Sequence, residues 1–72
     1  MQKIVATAAI PGCEFRVVDE GDGVLRYSVE VFQSGEVGAA WDSTGTYYTT
    51  EGHACVAMAR QITLRAANLL GL

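Results

Sequence analysis

The apolar residues of this 72-residue chain change their spacing once. Before Trp41, two segments, Cys13–Asp19 and Leu25–Val31, set apolar residues at alternate positions, the period of a β-strand. Beyond Thr50 they recur at steps of three and four, the period of a helix. The clearest alternation is Leu25-Arg26-Tyr27-Ser28-Val29-Glu30-Val31, with Leu, Tyr, Val and Val on one side and Arg, Ser and Glu on the other. Cys13 to Asp19 alternates less regularly and reads as a second half-buried strand. A single switch of period implies a sheet followed by one helix, and one helix covers one face of a sheet. The expected fold is therefore α+β: an antiparallel sheet of three to four strands with one C-terminal α-helix packed on one face, in a single domain over residues 1–72.

Turn signals divide the strands. Lys3 followed by Ile4–Ile10 has the outline of a short export signal, and Gly12-Cys13 that of a lipoprotein processing site. Shortness, the lone basic residue and Pro11 favour a first strand that ends at Pro11-Gly12. Gly21-Asp22-Gly23 predicts a three-residue hairpin loop that pairs Glu20 with Val24, Cys13 with Val31, Phe15 with Val29 and Val17 with Tyr27. The same register sets Glu14 opposite Glu30, with Arg16 diagonal to Glu30. Ser34-Gly35 predicts the next turn, leading into a third strand from Val37 to Asp42. A two-residue turn there sends Val37, Ala39 and Trp41 to the uncovered face beside Phe32. A three-residue turn sends Trp41 into the core. Ser43 to Thr50 reads as a polar loop, with a short strand at Thr46–Thr49 as the alternative.

The helix is expected to start at Thr49 or Thr50 as N-cap, with Glu51 at the positive end of its dipole. It runs without proline to Leu70 and stops at Gly71. Cys55, Met58, Ala59, Ile62, Ala66, Leu69 and Leu70 form its expected core face. Leu64 falls on the far side with His53, Ala57, Gln61 and Asn68.

Composition excludes several function classes. The chain is 50% hydrophobic and 18% charged, which is globular and not disordered. No apolar run approaches the roughly 20 residues needed to span a bilayer. A formal charge of −3 disfavours binding to nucleic-acid phosphates. Cys13 and Cys55 are expected as two reduced thiols, one facing the helix from the sheet and one on the helix core face. His53 and Cys55 lie two apart on a helix and do not face each other, so they make no nucleophile pair. Those two with Cys13 lack zinc-ligand spacing. The acids lie at turns (Asp19, Glu20, Asp22) or on the open strand face (Glu14, Glu30), where solvated charge is the default. No enzyme activity, cofactor or metal is expected, and the expected compartment is the cytoplasm.

The residues best suited to recognition are aromatic. Trp41, Tyr47 and Tyr48 sit among polar loop residues, a composition typical of interfaces, although they would equally serve to roof a small core. With the two-residue turn, Phe32, Val37 and Trp41, joined by Val18, form an exposed apolar patch rimmed by Glu30, Glu36 and Asp42. The expected function is a non-enzymatic protein-binding module whose partner presents a basic surface. The alternatives are a small assembly protein that forms homo-oligomers such as a dimer and, less favoured by charge, a nucleic-acid module. In its length, its acidic balance, the Arg26–Asp42 hairpin and the Thr49-Thr50-Glu51 helix start, the whole chain resembles small phage-encoded inhibitors, including the anti-CRISPR group. That resemblance implies binding to a host protein complex. It contains no specific motif, so it assigns no residue a role.

Overall fold

The computed structural model describes residues 2–21, 26–35 and 37–72. Four antiparallel strands form one sheet in chain order: β1 (Lys3–Ile10), β2 (Cys13–Asp19), β3 (Tyr27–Gln33) and β4 (Asp42–Tyr48). One helix, α1 (Glu51–Leu69), follows and packs mainly on the central strands β2 and β3. This is the α+β sheet-and-helix architecture expected from the single change of period.

Alternation decides which side chains meet the helix. Phe15, Val17, Val29 and Val31 point to the same face and are buried with Ala54 and Met58 of α1. Val5, Ala6, Ala8, Ile10, Tyr27 and Tyr48 pack partly against them. Cys13 and Cys55 are both free thiols, half-buried at the border of this core, one on the sheet and one on the helix. A thiol reagent should therefore label both more slowly in the native state than in denaturant, measured by mass spectrometry over time. Labelling of Cys55 at the denatured rate would contradict its packing under the helix.

The β2–β3 register differs from the expected one by two residues. Cys13 pairs with Gln33, Phe15 with Val31, Val17 with Val29 and Asp19 with Tyr27. The Glu20 amide donates to the Arg26 carbonyl at 3.0 Å, so Glu20 is bonded to Arg26 where the expected hairpin paired it with Val24. Val24 and Leu25 lie outside the described residues. A slip of two keeps every side chain on its face. It also replaces the expected Glu14–Glu30 opposition by a direct Arg16–Glu30 pair, with Glu14 opposite Phe32. An opposed ion pair in place of an opposed like-charge pair favours the observed register.

The second hairpin departs further. No strand forms from Val37, and neither expected turn register occurs. After Ser34 and Gly35 the chain turns again at Gly38, whose φ of +72° is left-handed and incompatible with extended backbone. The polar segment read as a loop is the fourth strand. It pairs Tyr27 with Tyr48, Ser28 with Tyr47, Glu30 with Ser43 and Val31 with Asp42, with a bulge between. Gly45, at φ +86°, sits in that bulge, and its amide donates to Ser43 Oγ at 3.1 Å. The short alternative at Thr46–Thr49 caught only the end of this strand. β4 is an edge strand, and a bulge of this kind hinders pairing with another chain.

The helix caps match the expected residues. Thr50 is the N-cap, its Oγ1 accepting from the His53 amide at 3.2 Å. Gly71 adopts φ +75°, while the Leu72 amide donates to Ala67 O at 2.9 Å and the Gly71 amide to Asn68 O at 3.2 Å, the Schellman pattern. The buried face is rotated from the expected one. Its centre is Ala54 and Met58, Ala57 turns inward, and Ala59, Leu69 and Leu70 are exposed. Nineteen helical residues span about 28 Å. Strands of seven or eight residues span about 23–27 Å. The last helical turn borders the β1–β2 end of the sheet, where Arg65, Asn68 and Leu69 line a cleft with Ile10, Cys13 and Gln33.

Candidate functional site

The sheet face opposite the helix is covered by no other element among the described residues. The register orders its side chains into three rows across the strands. The first runs Ile4, Val18, Ser28, Tyr47; the second Thr7, Arg16, Glu30, Ser43; the third Ala9, Glu14, Phe32. Each row has its own means of tolerating the open side.

The first row is closed by polar and aromatic groups. Val18 is 2% exposed and Ser28 1%. Ser28 Oγ donates to Glu20 Oε1 at 2.7 Å, and Gln2 Nε2 donates to the other carboxylate oxygen at 3.0 Å. The buried hydroxyl thus has a charged acceptor, the condition for burying it without large loss. The Arg26 guanidinium lies 4.6 Å from the Tyr47 ring centroid.

In the second row, Arg16 Nε donates to Glu30 Oε1 at 2.6 Å, with both side chains mostly shielded. The same guanidinium stacks over Trp41, 4.0 Å from its ring centroid. Trp41 in turn tilts against Phe32 of the third row, with centroids 5.6 Å apart and an interplanar angle of 44°. Trp41 precedes β4 and folds back over the open face. It is half-buried, in neither the helix-side core nor free solvent. A planar cation between a carboxylate and an indole is held along two axes at once. The result is a continuous, part-exposed Phe32–Trp41–Arg16–Glu30 platform.

The structure brings together only part of the expected site. Phe32, Trp41, Glu30 and Tyr47 share the open face. Tyr48 does not: consecutive strand residues point to opposite faces, and it packs on the helix side. Asp42 is opposite inward-facing Val31 and lines a cleft with Arg65 of α1, so it does not rim the aromatic patch. Val37 is 106% exposed on the connection and belongs to no strand. Glu36 lies outside the described residues. Val18 is buried and forms no part of an exposed patch. Glu14, opposite Phe32 and exposed, takes the rim position instead. Arg16 was not among the expected site residues. Its place in an alternating strand next to the only tryptophan's face was hidden by the wrong register.

His53 is exposed while Cys55 packs against the core. No three His, Cys, Asp or Glu side chains gather as a metal cluster among the described residues, and no described helix is long and apolar enough to cross a membrane. No family model, curated protein or solved structure matches the chain.

Proposed function

We propose that the chain is a non-enzymatic protein-binding module that engages its partner through the open sheet face. The observation that carries this reading is the Phe32–Trp41 pair, held outside the core by Arg16. Tryptophan and arginine dominate binding hot spots because they combine large contact area with directed polar groups. A small domain that leaves its only tryptophan half-buried outside its core forgoes part of the burial that a large apolar side chain brings, which is worth roughly 1.5–3 kcal/mol for a residue such as Phe. A partner that covers the platform recovers it. Glu14 beside Phe32, with the overall charge of −3, favours a partner with basic groups at the rim. Inhibition of a host protein complex by a small acidic phage-encoded protein is one activity of this kind, and the cytoplasm is the compartment it implies.

Trp41→Ala tests the reading. It should abolish retention of the partner captured by the wild-type chain from a host lysate, while circular dichroism and cooperative unfolding persist. If the same partner is retained by Trp41→Ala and lost by a change on the helix, the open face is not the binding surface. If Trp41→Ala loses a self-association that the wild type shows by sedimentation, the partner is a second copy.

A further inference from the structure

The helix presents a second surface of opposite character. All eight acidic residues lie at or before Glu51; after it come Arg60, Arg65 and His53, and no acid. On the solvent side of α1, Val56 is 53% exposed and Leu64 60%. With Ala59 and Thr63 they line a shallow, mostly apolar groove that includes Arg60. A second cleft adjoins it, sharing Val56 and Arg60 and lined also by Tyr48, His53 and Gln61. The phenol, imidazole, amide and guanidinium there can all donate hydrogen bonds, and no carboxylate lines either cleft. Arg60 forms no ion pair among the described residues, unlike Arg16.

We propose that this outer face of α1 docks an acidic amphipathic peptide segment of a partner protein. An apolar side chain of the segment seats between Val56 and Leu64, and a carboxylate meets Arg60 and the neighbouring donors of Tyr48, His53 and Gln61. Charge selects this occupant over a second copy. Arg60 lies midway between Val56 and Leu64, so two helices packed about a twofold through this stripe set Arg60 against Arg60. An acidic segment instead supplies the missing counter-charge and matches apolar anchors spaced along one helix face. The surface is separate from the Trp41 platform, so the two proposals stand or fall independently.

The test uses the full chain labelled with nitrogen-15 and a blocked, amphipathic Leu/Glu peptide of about four helical turns, with a Leu/Lys peptide of the same pattern as control. Saturable amide shifts are expected at His53 through Leu64 with the Leu/Glu peptide only. Arg60→Glu should weaken that binding by about tenfold or more, the loss of a charge-assisted contact plus repulsion. Leu64→Gln should weaken it as well, and Trp41→Ala should leave it unchanged. Arg60 and Leu64 are exposed, so the variants should fold; circular dichroism checks this, and Arg60→Gln replaces Arg60→Glu if it does not. Absence of saturable shifts on the helix, equal binding of the Leu/Lys peptide, or shifts centred on Phe32 and Trp41 would each overturn the proposal. So would a dimer in sedimentation that Leu64→Gln dissociates.

Discussion

Phe15→Ala should leave the chain largely unfolded at 25 °C. Phe15 is fully buried at the centre of β2, between Ala8 of β1 and Val31 of β3 in the register and beneath the helix. Truncating a buried phenylalanine costs about 3–5 kcal/mol, the transfer free energy of the ring plus the cavity it leaves. A core in a domain of this size rarely supplies more than about 3–5 kcal/mol of net stability. The described cysteines form no disulfide to add to that margin. The loss therefore equals the reserve. Urea unfolding followed by circular dichroism is the measurement. The wild type should unfold in one cooperative transition, and the variant should show no native baseline. A Phe15→Ala chain that unfolds cooperatively near the wild-type midpoint would mean that the helix-side core is not the source of stability.

The faces of the strands were legible from the sequence because side-chain parity survives errors of register. Phe15, Val17, Val29 and Val31 point toward the helix whether Phe15 is paired with Val29 or, as observed, with Val31. The register was not legible from Gly21-Asp22-Gly23, which marks a turn without fixing its extent. The fourth strand was obscured for a different reason. Ser43-Thr44-Gly45-Thr46 lies on an exposed, bulged edge, so it carries no apolar alternation. The available signal was the strand preference of Thr46, Tyr47 and Tyr48. Once that strand is placed, the division of the two tyrosines between opposite faces follows. On the helix, large apolar residues drew the expected face toward Leu69 and Leu70. The observed centre, fully buried Ala54, carries only a methyl side chain, which hydrophobicity does not announce as a core position. Of the residues on the open face, Phe32, Trp41 and Tyr47 were among those expected, Tyr48 was expected there and lies on the helix side, and Arg16 was not expected, because its position depends on the register and on Trp41 folding back.

Arg16 links stability to the proposed binding face, and its removal should show more than the loss of one surface ion pair. An exposed pair contributes about 0–1 kcal/mol. Here Arg16 and Glu30 are only 23% and 16% exposed at 2.6 Å, and the guanidinium also supports Trp41 at 4.0 Å. Arg16→Ala leaves the Glu30 carboxylate shielded without its donor and removes the surface on which the indole rests. The expected cost is about 2 kcal/mol, from the orphaned carboxylate and the lost stacking together. Near-ultraviolet circular dichroism of Trp41 should weaken because the ring loses its fixed environment. Glu30→Ala alone should cost less, since Arg16 keeps its stacking and reaches water more easily. The Arg16→Ala/Glu30→Ala double variant separates the two contributions. It should be more stable than Arg16→Ala alone, because it removes the carboxylate that the single change strands. It should not regain the Trp41 signal, because that depends on the guanidinium and not on the ion pair. Simple addition of the two single losses would mean that Arg16 and Glu30 act separately. Full recovery of the Trp41 signal in the double variant would mean that Arg16 does not hold the indole in place.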